Sequence, residues 1–237
     1  MSSPHPKAFD AADFAGRVRL FPLPNLVLFP QVLQPLHIFE PRYRRLMEDA
    51  LAGDHLIAMV LYAPGWERST DQQPAIHQVA CLGRIATYRR LPDGRFNLLL
   101  EGARRIRIHQ ELPLARPYRE AEVELIDDVY PTASGEEARL QELQCQLIEG
   151  LESNVAHVPE LQEQLGQLAT RKRQLGVLAD LVAYAVDFPL EFKQELLAEA
   201  RVVDRAERLI ERLRSTNMDA CARLSRMAPF PPPFSSN

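Results

Sequence analysis

Metal, nucleophile or phosphate chemistry in this chain would have to be built from six histidines, three cysteines and three lysines. The histidines (His5, His37, His55, His77, His109, His157) contain no i, i+4 pair of their own, and the sole one near a cysteine is His77, four residues before Cys81. Structural zinc usually announces itself by a closely spaced ligand pair, so no metal site and no bound cofactor is expected. The cysteines, Cys81, Cys145 and Cys221, are odd in number, far apart and form no CxxC, which fits a reducing compartment. Cys81 lies in an apolar run and Cys145 in a helical pattern, where cysteine acts as a small core residue. A phosphate-binding P-loop needs lysine after glycine so that the amine can reach the β- and γ-phosphates. Lys7, Lys172 and Lys193 instead follow Pro6, Arg171 and Phe192. No GxSxG elbow occurs, and the carboxylates lie on helix faces or alternate along strands. No catalytic residue is expected.

Two groups of side chains point to binding. The formal net charge is -4, which argues against a dedicated nucleic-acid binder. Yet Arg84, Arg89, Arg90, Arg95, Arg104, Arg105 and Arg107 crowd one stretch that holds only two acids, Asp93 and Glu101. A basic strand face of this kind could hold RNA or another anion through its phosphates. The competing reading is a solvated outer face balanced by Glu101, Glu120, Glu122 and Glu124, which the negative total charge favours. Trp66 is the sole tryptophan and sits in a proline–glycine loop with Tyr62. Such a loop either offers an exposed contact to apolar protein segments or folds back as a cover, and the residues leave both open. Phe29 and Phe39 read as core.

These residues must be positioned by two halves of different period. Residues 56–62 are a continuous apolar run that suits a strand buried on both faces. Residues 79–90 and 95–101 flank Leu91-Pro-Asp-Gly94, a hairpin signal, because glycine tolerates positive φ. Residues 105–108 and 120–125 alternate with period two. One helix interrupts this half: Pro41 suits a first turn, Tyr43, Leu46, Met47, Ala50 and Leu51 share a face, and Gly53 stops it. From Ser134 the period becomes 3.6, with a Ser134/Glu137 capping box. Five apolar stripes follow, the second carried by Leu161, Leu165 and Leu168, as expected of a helical bundle. The expected fold class is α+β: a mostly antiparallel β-barrel with a short helix, then a C-terminal bundle. The expected division is a flexible N-terminus at 1–16, a barrel at 17–130, a bundle at 131–216 and a proline-rich tail at 217–237. The tail reads as disordered or as a polyproline ligand for an aromatic groove. The longest apolar run, residues 56–63, is far short of the ~20 residues a membrane helix needs. With no apolar leader at the N-terminus, a soluble cytoplasmic protein is expected.

Four segments, in order, resemble the N-terminal substrate-binding domain of Lon proteases. Leu20-Phe-Pro-Leu-Pro-Asn-Leu-Val-Leu-Phe-Pro30 is similar to that family's opening, where one strand leads to a second ending in phenylalanine–proline. Leu36-His-Ile-Phe-Glu-Pro-Arg-Tyr43 is similar to its approach to the first helix. Gly83-Arg-Ile-Ala and Leu91-Pro-Asp-Gly-Arg-Phe-Asn-Leu-Leu-Leu-Glu-Gly-Ala-Arg-Arg-Ile-Arg107 resemble its distinctive hairpin. Leu178-Ala-Asp-Leu-Val-Ala-Tyr and Phe192-Lys-Gln-Glu-Leu-Leu197 resemble its helical close. The resemblance covers residues 17–214. It implies a barrel like that of pseudouridine synthases and archaeosine transglycosylases (PUA-like). It also implies a non-catalytic domain that grips unfolded or apolar segments of client proteins or a protein partner, as an adaptor or modulator of proteolysis. Lon's ATPase and serine–lysine peptidase are not expected, since the sequence ends soon after Arg214 and has no P-loop.

Overall fold

A computed structural model of the chain describes residues 9–70, 73–133, 135–155 and 174–219. They divide into two compact units that meet in sequence at Ile126 and Asp127. The expectations for the first residues, Ser134, the stripe at Leu161, Leu165 and Leu168, and the proline-rich tail lie outside the described residues.

The first unit is a six-stranded mixed sheet with one helix. Its elements are β1 (Arg17–Leu23), β2 (Leu33–Ile38), α1 (Pro41–Leu51), β3 (Leu56–Leu61), β4 (Val79–Arg90), β5 (Phe96–Glu111) and β6 (Glu120–Ile126). The strand order is β2-β5-β4-β3-β1-β6, and β6 pairs again with β5. β1 and β3 run parallel, because the chain between them must carry β2 and α1, and every other pairing is antiparallel. The fold is thus α+β as expected, but the sheet is not a clean barrel. β2 hangs on the outside of β5, and β5 carries register shifts against both β4 and β6.

The alternation read from the sequence builds the core directly. All six residues of β3 are buried, and Leu56, Ala58 and Val60 among them share one core cluster with Val18, Leu20, Ala80, Leu82, Ile106, Ile108, Ala121 and Val123. The hairpin turn forms at Asp93-Gly94: Gly94 takes φ 84°, the Leu91 N–H donates to the Arg95 carbonyl, and the Asp93 carboxylate accepts from the Arg95 N–H. Residues 95–101 and 105–108, expected as two strands, are one long strand. Gly102 between them is a crossing point, not a break. Its N–H donates to Val32 O and its carbonyl accepts from Gln31, while a β-carbon there would lie 2.0 Å from Phe29 O. The turn at 29–32 can rest on the strand only where there is no side chain. The expected second strand ending at Phe29-Pro30 is absent. Val27, Leu28 and Phe29 are buried in non-strand backbone, and the strand lies further on, as β2.

Helix α1 begins at Pro41 and buries Tyr43, Leu46, Met47 and Ala50, as expected. Its end differs. Gly53 does not adopt positive φ; His55 does, at 62°, donating its N–H to Ala50 O and accepting Ile85 N–H on its carbonyl. These two bonds hold a non-glycine residue in the left-handed region.

The second unit contains α2 (Glu136–Val155), α3 (Leu175–Ala185), α4 (Leu190–Ala198) and α5 (Val202–Asp219). Leu143, Leu147 and Leu151 of α2, Leu178 and Val182 of α3, Leu196 and Leu197 of α4, and Val202, Ala206, Leu209 and Leu213 of α5 are buried, matching the 3.6-residue stripes. Among the described residues no helix is long and apolar enough to cross a membrane.

Candidate functional site

Tyr62 and Trp66 are brought together. Tyr62 follows β3, its N–H donating to Leu23 O. Gly65, at φ 87°, turns the chain into a short 3-10 turn, Trp66–Arg68. The turn lays the indole on the Tyr62 ring, with centroids 4.9 Å apart and planes 17° from parallel. Both rings remain half-buried. Beneath them the Tyr43 hydroxyl is hydrogen-bonded to Tyr62, and burial holds the Tyr43 phenol above its usual value. Tyr43 packs edge-on against Phe21 at 4.5 Å, and the Arg42 guanidinium lies 4.6 Å over the Tyr43 ring. An aromatic column therefore runs from the core to a ledge at the surface of the first unit. The indole N–H of Trp66 has no acceptor among the described residues.

The arginines are not brought together as one face. Arg105 is only 3% exposed and is withdrawn from any surface contact. It pairs with Cys81 across the ladder, where the alternation of residues 105–108 had placed it outside. Arg84 is bound to Glu101, and Arg107 to Glu124 at 3.2 Å. At the hairpin tip, Arg90 reaches Glu48 at 3.0 Å and lies over Phe96, while Arg95 is held by Asp93 at 2.6 Å. Arg89 alone of the group is exposed with no ion pair among the described residues. From Arg95 to Arg107 the extended chain runs about 40 Å, so Arg95 and Arg107 sit at opposite ends of a strand, each beside a carboxylate.

Three features escaped the sequence. Phe39, expected in the core, is 60% exposed and stacks on His37. The signal was period two: Ile38 points inward, so its neighbour points out. Pro35 sits in the middle of β2, the strand that ends the pairing order. It brings no N–H, and its carbonyl already accepts from Gln34 Nε2 at 2.9 Å, which makes this edge a poor template for an added strand. Finally, Arg205 is wholly buried within the second unit. Its guanidinium reaches Asp128 at 2.8 Å, Asp180 at 3.3 Å and the Glu199 carbonyl at 2.7 Å. Position 205 lies on the stripe of Val202 and Leu209, so its burial was readable from helical spacing.

Cys81 is buried and Cys145 exposed on α2. Among the described residues no group of three or more histidine, cysteine or acidic side chains is arranged to hold a metal. An open groove of about 370 Å³ on the second unit is lined by side chains already engaged with each other, Arg139 with Glu207 at 2.7 Å and Arg214 with Gln146 at 3.1 Å.

The model of the ATP-dependent protease La (LON) substrate-binding domain matches residues 17–215. The chain belongs to the Lon substrate-binding domain family. Lon protease of Dictyoglomus thermophilum is 28% identical over 190 residues, which cover 80% of this chain and 23% of the relative. Lon protease 2 of Myxococcus xanthus is 26% identical over 211 residues, covering 88% of this chain and 24% of the relative. The chain therefore spans about a quarter of the length of the curated relatives it matches. The family model that matches is the Lon substrate-binding domain, not a catalytic one. Among solved structures, a Lon N-terminal domain protein from Xanthomonas campestris superposes with a TM-score of 0.59 at 22% identity, over 82% of this chain and 97% of that one. The N-terminal domain of Mycobacterium avium complex Lon protease gives 0.61 at 17% identity, over 84% and 98%. At these identities the structures establish a shared fold. The four Lon-like segments map onto β1 and the buried turn after it, the end of β2 with the start of α1, the β4–β5 hairpin, and α3–α4.

Proposed function

We propose that this chain recognises unfolded or apolar segments of client proteins and itself hydrolyses neither ATP nor peptide bonds, serving as an adaptor or modulator in protein quality control. The observation that carries this reading is the match to the Lon substrate-binding domain over residues 17–215. The half-exposed Tyr62–Trp66 ledge supports it, since a ring pair held rigid by the column below offers apolar area at small entropic cost. So does the exposed Phe39 ring. The rolled sheet of the first unit is read here as PUA-like, and its RNA-binding kin supply the competing function; the dispersed, carboxylate-paired arginines give that alternative little support.

The test is retention of one protein in two forms. The full chain should hold a permanently unfolded, carboxymethylated protein and release its folded form, and Trp66→Ala should weaken retention by roughly tenfold, the loss of one aromatic anchor. Equal retention of both forms would end the proposal. Tight RNA binding that falls steeply with salt in a filter assay would replace it with the competing one. ATP turnover or casein cleavage abolished by a single substitution would overturn its non-catalytic part.

A further inference from the structure

The outer face of the β4–β5 hairpin carries donors that meet no acceptor among the described residues. His37, Asn97 and Arg89 stand in register across β2, β5 and β4. A guanidinium nitrogen of Arg95 lies 3.4 Å from the imidazole Nε2 of His37. Arginine can only donate, so Nε2 accepts and Nδ1 carries the proton. Nδ1 then donates to Asn97 Oδ1 at 2.6 Å. That bond fixes which end of the carboxamide faces β2. Its oxygen is taken by His37, and its NH2 is turned away from β2, with no acceptor among the described residues. The next side chain in the row is Arg89, exposed and without an ion pair among the described residues. Residues paired across neighbouring strands place their β-carbons about 5 Å apart. Two unused donors, one of them fully charged, therefore stand side by side, the complement of a carboxylate. Around them the face is apolar. Pro35 and Leu99 pair in the adjacent row and are half-buried, and the exposed Phe39 ring stacks on His37.

We infer that this face docks an apolar protein segment through one carboxylate, an aspartate or glutamate side chain that meets Arg89 and the Asn97 amide while its apolar neighbours lie on Phe39, Pro35 and Leu99. The inference rests on the client-recognition reading and narrows the class of client. The apolar contacts supply area, and the carboxylate sets register and selects among segments of similar hydrophobicity. Charge complementarity decides the occupant. One cation beside a neutral amide matches a single carboxylate. RNA would present a phosphate at every nucleotide, and the neighbouring Arg84, Arg90 and Arg95 are already held by Glu101, Glu48 and Asp93.

The probes are two short end-capped peptides of leucine and phenylalanine, one with a central glutamate and one with glutamine in its place, labelled for fluorescence anisotropy. The full chain should bind the glutamate peptide about fivefold more tightly, the scale of a half-exposed charged contact. That preference should shrink in high salt. Arg89→Gln, a change at an exposed position, should erase the preference and keep the thermal unfolding midpoint. Asn97→Asp keeps the oxygen that His37 uses and puts a carboxylate oxygen where the free amide stood. It should erase the preference too, because Arg89 then has a partner within the chain. Phe39→Ala should weaken both peptides alike. Equal binding of the two peptides by the parent chain, or a preference that survives Arg89→Gln, would overturn the inference. So would a uridine oligonucleotide that binds the parent more tightly than the glutamate peptide and is lost in Arg89→Gln, which would give the face to RNA. The two readings fail separately. An unfolded protein retained equally by the parent and by Arg89→Gln leaves client recognition standing and removes this site. A glutamate preference abolished by Arg89→Gln, with folded and unfolded protein retained alike, does the reverse.

Discussion

The two units differ in where their buried charge is held. In the strand-rich unit the cluster of buried residues at the sheet's centre is apolar; Arg105 and Arg119 are buried beside it, Arg119 against Glu111, and the other arginines meet carboxylates mostly at the periphery, as Arg107 meets Glu124 with each side chain about half exposed. In the helical unit a guanidinium with no exposed surface is gripped by Asp128 and Asp180, the latter only 2% exposed. The difference follows from what each architecture must hold. Closely paired strands satisfy their own backbone groups. The segment after β6 makes an isolated bridge from Val129 to Arg201 in place of a strand ladder, and side chains add to it. Arg205 does so, reaching Asp128 on that segment and the Gly176 and Glu199 carbonyls, while the Tyr130 hydroxyl accepts the Gly176 N–H. Gly176 makes this possible: a β-carbon there would lie 2.2 Å from the Asp128 carboxylate. The lesson is that the helical unit should be fragile to loss of a charge and the strand unit to a change of volume.

Arg205→Met is the strongest way to break that contrast. It should cost about 3–5 kcal/mol, because it leaves Asp180 charged, buried and without its guanidinium. Urea unfolding followed by the helical circular-dichroism signal measures it. A loss below about 1 kcal/mol would mean that the buried cluster is no anchor, and the two units would then differ only in appearance.

Gly102→Ala is the corresponding blow to the strand unit, with no charge involved. The added methyl would fall 2.0 Å from a backbone oxygen rather than from the tip of a flexible side chain. The turn at 29–32 must therefore lift, at about 2–3 kcal/mol. Gly83→Ala is the milder companion, since its methyl meets only the Leu100 side chain, at 2.6 Å. Thermal unfolding of both variants should rank Gly102→Ala below Gly83→Ala, and the opposite order would place the critical close approach elsewhere.

These positions also show why some of the molecule was legible and some was not. Period-two alternation at residues 120–125 and the Asp93-Gly94 turn depend on neighbours along the chain, so they could be read and they formed. Gly102 read as an interruption because the turn that crosses it is distant in sequence. The sequence placed the helix stop at Gly53, but the left-handed residue after α1 is His55, because a carbonyl from α1 and an N–H from β4 converge on it, and only the folded chain brings those together. At the candidate site, the sequence marked Tyr62 and Trp66 as a pair through their shared loop. It did not show Tyr43 and Phe21 beneath them, which come from two other elements. The arginine cluster misled for the opposite reason: closeness in sequence is not closeness on a surface when the strand that carries it is sixteen residues long.

A partly buried carboxylate in the strand unit offers an intermediate case. Burial pushes the Asp49 carboxyl up, but the Tyr118 hydroxyl at 2.6 Å and the Arg116 and Arg45 guanidinia more than reverse it, so it sits below its usual value. Burial, then the hydrogen bond to Asp49, pushes Tyr118 up to about 12. For Asp49, folding favours the ionised form. Its contribution is present above the ordinary carboxylate value and lost as pH falls through the depressed one. For Tyr118, folding favours the protonated form, so its contribution is full below the ordinary value of 10.0 and erodes as pH rises towards about 12. The alkaline loss should be about 1–2 kcal/mol, discounted for the water that still reaches Asp49. Denaturant midpoints collected across that range should fall for the parent and fall less for Tyr118→Phe. Parallel curves would show that the pair contributes nothing to the strand unit's pH dependence.

The smallest effect is the one the contrast most needs. A double-mutant cycle of Arg107→Gln and Glu124→Gln should give a coupling of only about 0.2–0.5 kcal/mol, vanishing in high salt, because both side chains are half in water and screened. The same cycle at Arg84 and Glu101, where the side chains are 16% and 34% exposed, should give more, near about 1 kcal/mol, since less solvent stands between them. Coupling that rises with burial along one strand, yet stays well below the cost of removing Arg205, would mean that exposure sets the worth of every ion pair in the chain. A large, salt-insensitive coupling at Arg107 would instead make the outer pairs part of what holds the sheet together, and the strand unit would depend on charge as the helical unit does.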